Sequence, residues 1–353
     1  MADPKKPKQR TWSTFGDVRR MPSEYEIVTN RAQWTLREGR KAALEQNPSS
    51  PANLWFATYR EGSAIQVPTW DGFADPDTMI YRRYVAMQNE QEGAAAAVLD
   101  EYSDEAHDRK FSAEWAETLR LLFTTTRFPM HAAQMVQAYV GFMAPDPHIM
   151  NAAGFSAADL LRRVSLVSYR TRELELAWPG VGFSQGERQL WSESPAWQPA
   201  RLLFEKALVA YDWAEGFTAV NLVAMPTLDE LLLTQLRAVA RAKGDELTWI
   251  LLGNLGADSA RRDRWSTALA RFAIEQNGAN RGVFEGWIEK WGARTDAAAS
   301  ALAEAIATVE PSGLGVGELA AAATAARVAA LAQAGLGDGD PVTAAPAGAA
   351  AGR

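Results

Sequence analysis

The chain has 353 residues, of which 47% are hydrophobic and 22% charged, and a formal net charge of -7. It is long enough to bury a sizeable core, and its acidity argues against nucleic acid or an anionic membrane surface as main partner. It holds no cysteine, three histidines and thirteen tryptophans. Disulfides, thiolate metal sites and a cysteine nucleophile are therefore excluded, and imidazole chemistry must draw on His107, His131 or His148.

Neither a signal-peptide h-region nor a run of ~20 apolar residues is present, so the chain reads as cytoplasmic. Residues 1–75 are rich in proline and form an extended arm with little helical periodicity. They also carry Trp12, Phe15, Tyr25, Trp34, Trp55, Phe56, Tyr59, Trp70 and Phe73. So many large aromatics need a surface to cover them, either the chain's own body or a partner.

Residues 76–310 read as helical almost throughout. Asp75-Pro76-Asp77 resembles a helix start, followed by a stripe of Ile80, Tyr84, Met87, Ala94 and Val98. A second helix carries Trp115, Leu119 and Leu122, and past Pro129 presents Met135, Ala138 and Phe142 with His131 on the same, inward face. A third runs through Leu160, Val164, Val167, Thr171 and Leu174 to Trp178-Pro179-Gly180. A fourth, from Trp197, shows Leu202, Val209, Trp213, Phe217 and Val220, with Pro226 expected to kink or end it. Shorter segments follow at 228–241, 246–252, 261–275 and 283–291, with Gly253-Asn254-Leu255-Gly256 as a turn between helices. No stretch alternates with the period of a strand. The expected fold is all-α, a bundle of long helices. Residues 311–353, rich in Ala and Gly, allow a helix over 319–336 but read as a low-complexity tail that adds nothing to the core.

A long-helix bundle raises one chemistry above others, the carboxylate-bridged di-iron centre. It takes a Glu from each of two helices and a Glu-x-x-His pair from each of the other two. The histidines do not supply it: Phe128 stands three residues before His131, and Pro145 before His148, which belongs to a turn. Asp104 stands before His107 inside a polar run that reads as a solvated helical turn. Glu173, Asp212 and Glu215 read as structural acids or partners of arginines. Nucleophile elbow, phosphate loop and dinucleotide-binding glycine run are absent, so no catalytic, cofactor-binding or metal-binding residue is expected.

The wording of several segments adds to this. Thr11-Trp12-Ser13, Pro22-Ser23-Glu24-Tyr25-Glu26-Ile27-Val28, Pro51-Ala52-Asn53-Leu54-Trp55-Phe56 and Trp70-Asp71-Gly72-Phe73-Ala74-Asp75-Pro76-Asp77 occur in order. Tyr81-Arg82 with Gln88, Ser168-Tyr169-Arg170-Thr171-Arg172-Glu173-Leu174, Asp212-Trp213-Ala214-Glu215 and Asn221-Leu222-Val223 follow. Arg264-Trp265-Ser266 and Glu285-Gly286-Trp287-Ile288-Glu289-Lys290-Trp291 complete the set. Together they resemble the β (small) subunits of bacterial multicomponent soluble di-iron monooxygenase hydroxylases, in the toluene, alkene and isoprene branch, over residues 10–310.

The resemblance implies a ferritin-like fold over 76–310, without iron in this chain, and di-iron in a partner α subunit. It implies a hydroxylase of (αβγ)2 or (αβ)2 type, in which β braces α while α inserts one oxygen atom from O2 into an aromatic hydrocarbon or alkene. A γ subunit, an effector protein, a Rieske-type ferredoxin and an NADH reductase would complete the system. The arm's Trp12, Phe15, Tyr25, Trp55, Trp70 and Phe73 become candidate subunit-interface residues. The alternatives are a stand-alone ferritin-like di-iron oxidase or iron-binding protein, and a helical scaffold unrelated to oxygenases.

Overall fold

The computed structural model describes residues 22–29, 50–309 and 315–337. Trp12 and Phe15, and the turns and prolines of the tail beyond 337, lie outside these residues. Among the described residues every regular element is helical. In chain order they are α1 (Glu24–Thr29), α2 (Pro51–Phe56), α3 (Tyr81–Asp104), α4 (Ala113–Thr118), α5 (Arg127–Met143) and α6 (Pro147–Ala177). Then come α7 (Glu187–Glu193), α8 (Gln198–Ala207), α9 (Trp213–Ala242), α10 (Glu246–Gln276), α11 (Asn280–Ala307) and α12 (Val316–Gln333).

The long helices start where side chains satisfy free backbone N–H groups. Asp146 accepts from His148 N ahead of α6, Asp212 from Ala214 N and Glu215 N ahead of α9, and Asp245 from Thr248 N ahead of α10. Pro147 takes the first turn of α6, where a missing N–H costs nothing. Helices α5 and α6 form a hairpin, and α9 runs through the centre against α5, α10, α11 and α12. Helix α9 is apolar enough to cross a bilayer, but 94% of its 18-residue apolar stretch is buried in this core.

Several elements differ from the sequence expectation. Asp75-Pro76-Asp77 is a turn, because the Asp75 carboxylate accepts from Asp77 N and Met79 N, and α3 begins only at Tyr81. The buried stripe of α3 is Tyr84, Gln88, Ala95 and Leu99, one position beyond the expected Met87, Ala94 and Val98. On α5 the buried face is Val136, Gln137, Val140 and Met143, whereas Met135 and Phe142 are exposed. Leu202 and Val209 also face outward. Pro226 does not end α9: the wider turn of Thr218–Ala224 absorbs its missing N–H and its ring, and the helix continues. Gly253 and Gly256 sit inside α10, and a Cβ on Gly253 would lie 2.7 Å from the Arg237 guanidinium carbon, whose Nε donates to Trp249 O. The glycine there admits an arginine instead of breaking the helix.

The tail expectation also changes. Helix α12 lies against α9, α10 and α11, with Leu319, Ala323, Leu331 and Ala334 buried, so part of the 311–353 stretch belongs to the core. The arm divides: residues 50–75 sit on the body, with Phe56, Ile65, Trp70 and Phe73 in its hydrophobic core.

Candidate functional site

Helices α3, α6, α9 and α10 face one another around a buried polar centre. Helix α6 carries Asp159-Leu160-Leu161-Arg162-Arg163 and α10 carries Asp258-Ser259-Ala260-Arg261-Arg262. The shared Asp-x-x-Arg-Arg spacing turns the carboxylate and both guanidiniums toward the same side of each helix. Helix α3 adds Tyr84 and Gln88, and α9 adds Asp229.

Arg261 Nη2 lies 2.6 Å from Asp159 Oδ2 and 2.8 Å from Asp258 Oδ1, bridging the two helices. Gln88 Nε2 donates to the same pair of carboxylates at 2.8 and 3.0 Å, and Tyr84 Oη donates to Asp159 at 2.7 Å. Arg162 Nη1 holds the other oxygen of Asp258 at 2.7 Å. Asp229 is gripped by Arg163 at 2.6 Å and Arg262 at 2.7 Å, with Ser259 Oγ donating to it at 2.8 Å. A cavity of about 20 Å³ remains beside Ser156, Asp159, Asp258 and Arg262, room for one water.

Burial foremost, then the neighbouring Asp258, push the Asp159 carboxyl up to about 6, against the pull of Arg261. Burial works against the charged form at Asp229 too, but Arg262 and Arg163 together hold it below the ordinary carboxylate range. Burial and the adjacent Asp159 carboxylate raise the Tyr84 phenol, which stays a neutral donor.

A di-iron centre would need carboxylates and two imidazoles converging on an open space. Here guanidiniums stand between the carboxylates, and among the described residues no group of three or more His, Asp or Glu is disposed to hold a metal ion. These residues do not fit the metal.

The three histidines lie elsewhere. His107 is not in a solvated turn: it is buried between Tyr102 and Phe111, with Nε2 3.4 Å from Asp245 Oδ1, and Asp245 also accepts from Trp115 Nε1. His131 is exposed on α5 and does not point inward. His148 lies in the first turn of α6, its Nδ1 2.7 Å from Asp146 Oδ1 and its Nε2 3.1 Å from Thr29 Oγ1. Of the acids singled out from sequence, Glu173 pairs with Arg170, Asp212 caps α9 and accepts from Ser63 and Ala64, and Glu215 meets Lys290 and Trp291.

The candidate interface aromatics do not share one surface. Tyr25, Trp70 and Phe73 are buried in this chain's own body: Tyr25 against His148, Trp70 against Trp213, and Phe73 against Phe272. Trp55 is 37% exposed, packed on Tyr59 and Tyr211 with its Nε1 donating to Tyr139 Oη. Around it Leu54, Phe142, Val209 and Tyr211 are exposed, and Phe56 touches Phe142, so they form one apolar patch. An open groove of about 490 Å³ beside it is lined by Tyr59, Lys206, Tyr211, Lys290 and Trp291.

Residues 55–277 match the family described as methane/phenol/alkene hydroxylase. The chain is 39% identical over 297 residues to the hydroxylase component subunit beta of the toluene-4-monooxygenase system of Ectopseudomonas mendocina, covering 84% of this chain and 90% of that one. It is 26% identical to the hydroxylase component small subunit of propane 2-monooxygenase from Gordonia sp. (strain TY-5), covering 82% and 86%. A solved chain of toluene 4-monooxygenase, with toluene bound in the resting active site, superposes with a TM-score of 0.79 at 37% identity, covering 87% of this chain and all of that one. The matched span and the identity to the subunit beta of the toluene-4-monooxygenase hydroxylase component agree: this chain belongs to the methane/phenol/alkene hydroxylase family.

Proposed function

We propose that this chain is the β (small) subunit of a hydroxylase component, a non-catalytic part of a di-iron monooxygenase that inserts one oxygen atom from O2 into an aromatic hydrocarbon or alkene. The observation that carries the reading is the bundle centre. A helical fold shared with hydroxylase subunits is filled there by paired aspartates and arginines, so the reacting centre belongs to another chain. That chain is the larger α subunit, with di-iron between two Glu-x-x-His helices, and this subunit braces it. A γ subunit, in an (αβγ)2 or (αβ)2 assembly, and an effector protein, a Rieske-type ferredoxin and an NADH reductase complete the system. The burial in the protein core of the one membrane-length apolar helix among the described residues supports a cytoplasmic location.

The contact with α runs through the patch at Trp55, Leu54, Phe142 and Val209, and Trp12 and Phe15, outside the described residues, are further candidate contacts, while Tyr25, Trp70 and Phe73 anchor their segments on this chain's own body. Purification of the tagged full-length chain from its native cell retrieves a larger chain bearing two Glu-x-x-His motifs. Phe142→Asp with Val209→Asp, both at exposed positions, lowers that recovery at least about tenfold without changing helicity. Recovery of a lone monomer overturns the subunit reading. Full recovery of the large chain by the double variant overturns the patch alone.

A further inference from the structure

The groove beside the apolar patch carries three cations, on a chain whose net charge is -7. Tyr59 enters it from the turn after α2, Lys206 and Tyr211 from the end of α8 and just beyond, and Lys290, Trp291 and Arg294 from α11. Its aromatic wall is continuous with the patch, because Tyr59 packs on Trp55 at 4.6 Å and on Tyr211 at 5.5 Å. Trp291 is buried behind the cations, its ring centroid 5.4 Å from Lys290 Nζ and 5.5 Å from the Arg294 guanidinium carbon.

The acids of the groove are committed, and two of its cations are not. Asp212 caps α9 and accepts from Ser63 and Ala64. Glu215 accepts from Lys290 at 2.5 Å and from Trp291 Nε1 at 3.1 Å. Arg294 donates through Nη1 to Lys290 O at 2.7 Å, and no carboxylate among the described residues pairs with Arg294 or with Lys206. A guanidinium held over an aromatic face and on a carbonyl has its fork fixed before anything binds, which lowers the cost of ordering it around a carboxylate.

We propose that this groove receives a carboxylate-bearing segment of the large partner subunit, with an Asp or Glu against Lys206 and Arg294 and apolar neighbours on Leu54, Trp55 and Val209. The proposal rests on the subunit reading and adds the chemistry of the contact. Charge complementarity selects an acidic segment: an apolar one would take both cations out of water unpaired, whereas a carboxylate replaces their hydration with charge-assisted hydrogen bonds. The shared aromatic wall selects a polypeptide, since one occupant covers apolar side chains and meets cations along the same surface.

The test uses the complex as purified with its partner subunits. A water-soluble carbodiimide joins a lysine amine to a carboxylate in contact with it, and mass spectrometry of the digest finds an amide between Lys206 and an Asp or Glu of the large chain. The amide inside this chain between Lys290 and Glu215 reports that the reagent reached the groove. Lys206→Arg keeps the charge but cannot couple, so it removes the cross-link and leaves recovery of the large chain unchanged. Lys206→Glu with Arg294→Glu lowers recovery at least about tenfold with helicity unchanged. Added salt weakens the wild-type association but strengthens that of the double variant, because it screens attraction in one and repulsion in the other. An amide from Lys206 only to a second copy of this chain overturns the proposal, as does none at Lys206 in a complex labelled at Lys290. Full recovery of the large chain by the double variant overturns it too. The cross-link is read on the wild type, so it decides the matter even where the double variant misfolds. All these results leave the subunit reading standing, which fails only where the wild type retrieves no large chain.

Discussion

The carboxylate of Asp229 on α9 and the guanidinium of Arg262 on α10 meet at 2.7 Å, with both side chains less than a tenth exposed. Arg163 of α6 closes on the other oxygen at 2.6 Å, so one carboxylate joins three helices. Removing it leaves two guanidiniums facing each other out of water, and an unpaired buried charge costs more than the intact pair contributes. Asp229→Ala therefore lowers unfolding free energy by about 3–5 kcal/mol, read from urea or thermal melts of the full-length chain. A loss under about 1 kcal/mol would show that water reaches the guanidiniums.

Asp159 makes stability depend on pH with a defined sign. Its carboxyl rises from an ordinary 3.8 to about 6 in the folded protein, through burial first and Asp258 second. Between those values the folded chain holds a proton that the unfolded chain has released, so stability falls as pH rises through the window. The penalty is fully present above about 6 and absent below the unfolded value. Asp159→Asn lacks this titration. Wild-type minus variant stability should fall by up to about 3 kcal/mol from pH 4 to pH 6, and stay level above pH 7. A difference that grows with pH across that window would contradict the assignment.

How far the sequence spoke depended on what each residue type could signal alone. Helix α6 was legible from Leu160 to its end at Trp178, but not at its start, where Pro147 and His148 read as a turn although Asp146 caps the helix there. The face of α5 was not: Met135 and Phe142 share an apolar spacing with buried residues, and a spacing reports that a face is apolar, not what covers it. Gly253-Asn254-Leu255-Gly256 read as a turn because the role of Gly253, room for Arg237, depends on another helix. The two Asp-x-x-Arg-Arg runs went unread in the sequence because such runs resemble solvated helix faces, and only the convergence of α6 with α10 makes them a centre. The missing Glu-x-x-His pairs, by contrast, were evident in sequence, because that signature is a spacing within one helix.

Helix α1 is held to the body by a short polar chain. Asp146 meets His148 Nδ1, His148 Nε2 meets Thr29 Oγ1, and the Tyr25 ring lies 5.2 Å from the imidazole. Thr29 is fully buried, so Thr29→Val keeps its shape and removes the hydroxyl. The change is expected to cost about 1 kcal/mol locally and to speed hydrogen exchange of the α1 amides about fivefold, while α9 amides stay unchanged. Uniform acceleration across both helices would mean that α1 does not open separately.

Helix α12 gives the sharpest test of where the core ends. Leu319 is 1% exposed and Arg327 pairs with Asp296 of α11 at 2.7 Å, so this segment closes one side of the bundle. Leu319→Ala empties a site walled by α9, α10 and α11, and rigid helices on three sides collapse poorly into the space. The cost should be about 2–4 kcal/mol in denaturant melts. Val328, on the same helix but 53% exposed, provides the control: Val328→Ala should shift stability by less than about 0.5 kcal/mol. Ending the chain after Val309 removes all of α12 and uncovers Leu302 and Ile306, so it should destabilise more than Leu319→Ala does. Equal effects of Leu319→Ala and Val328→Ala would place α12 outside the cooperative core and restore the reading of 311–353 as a passive tail.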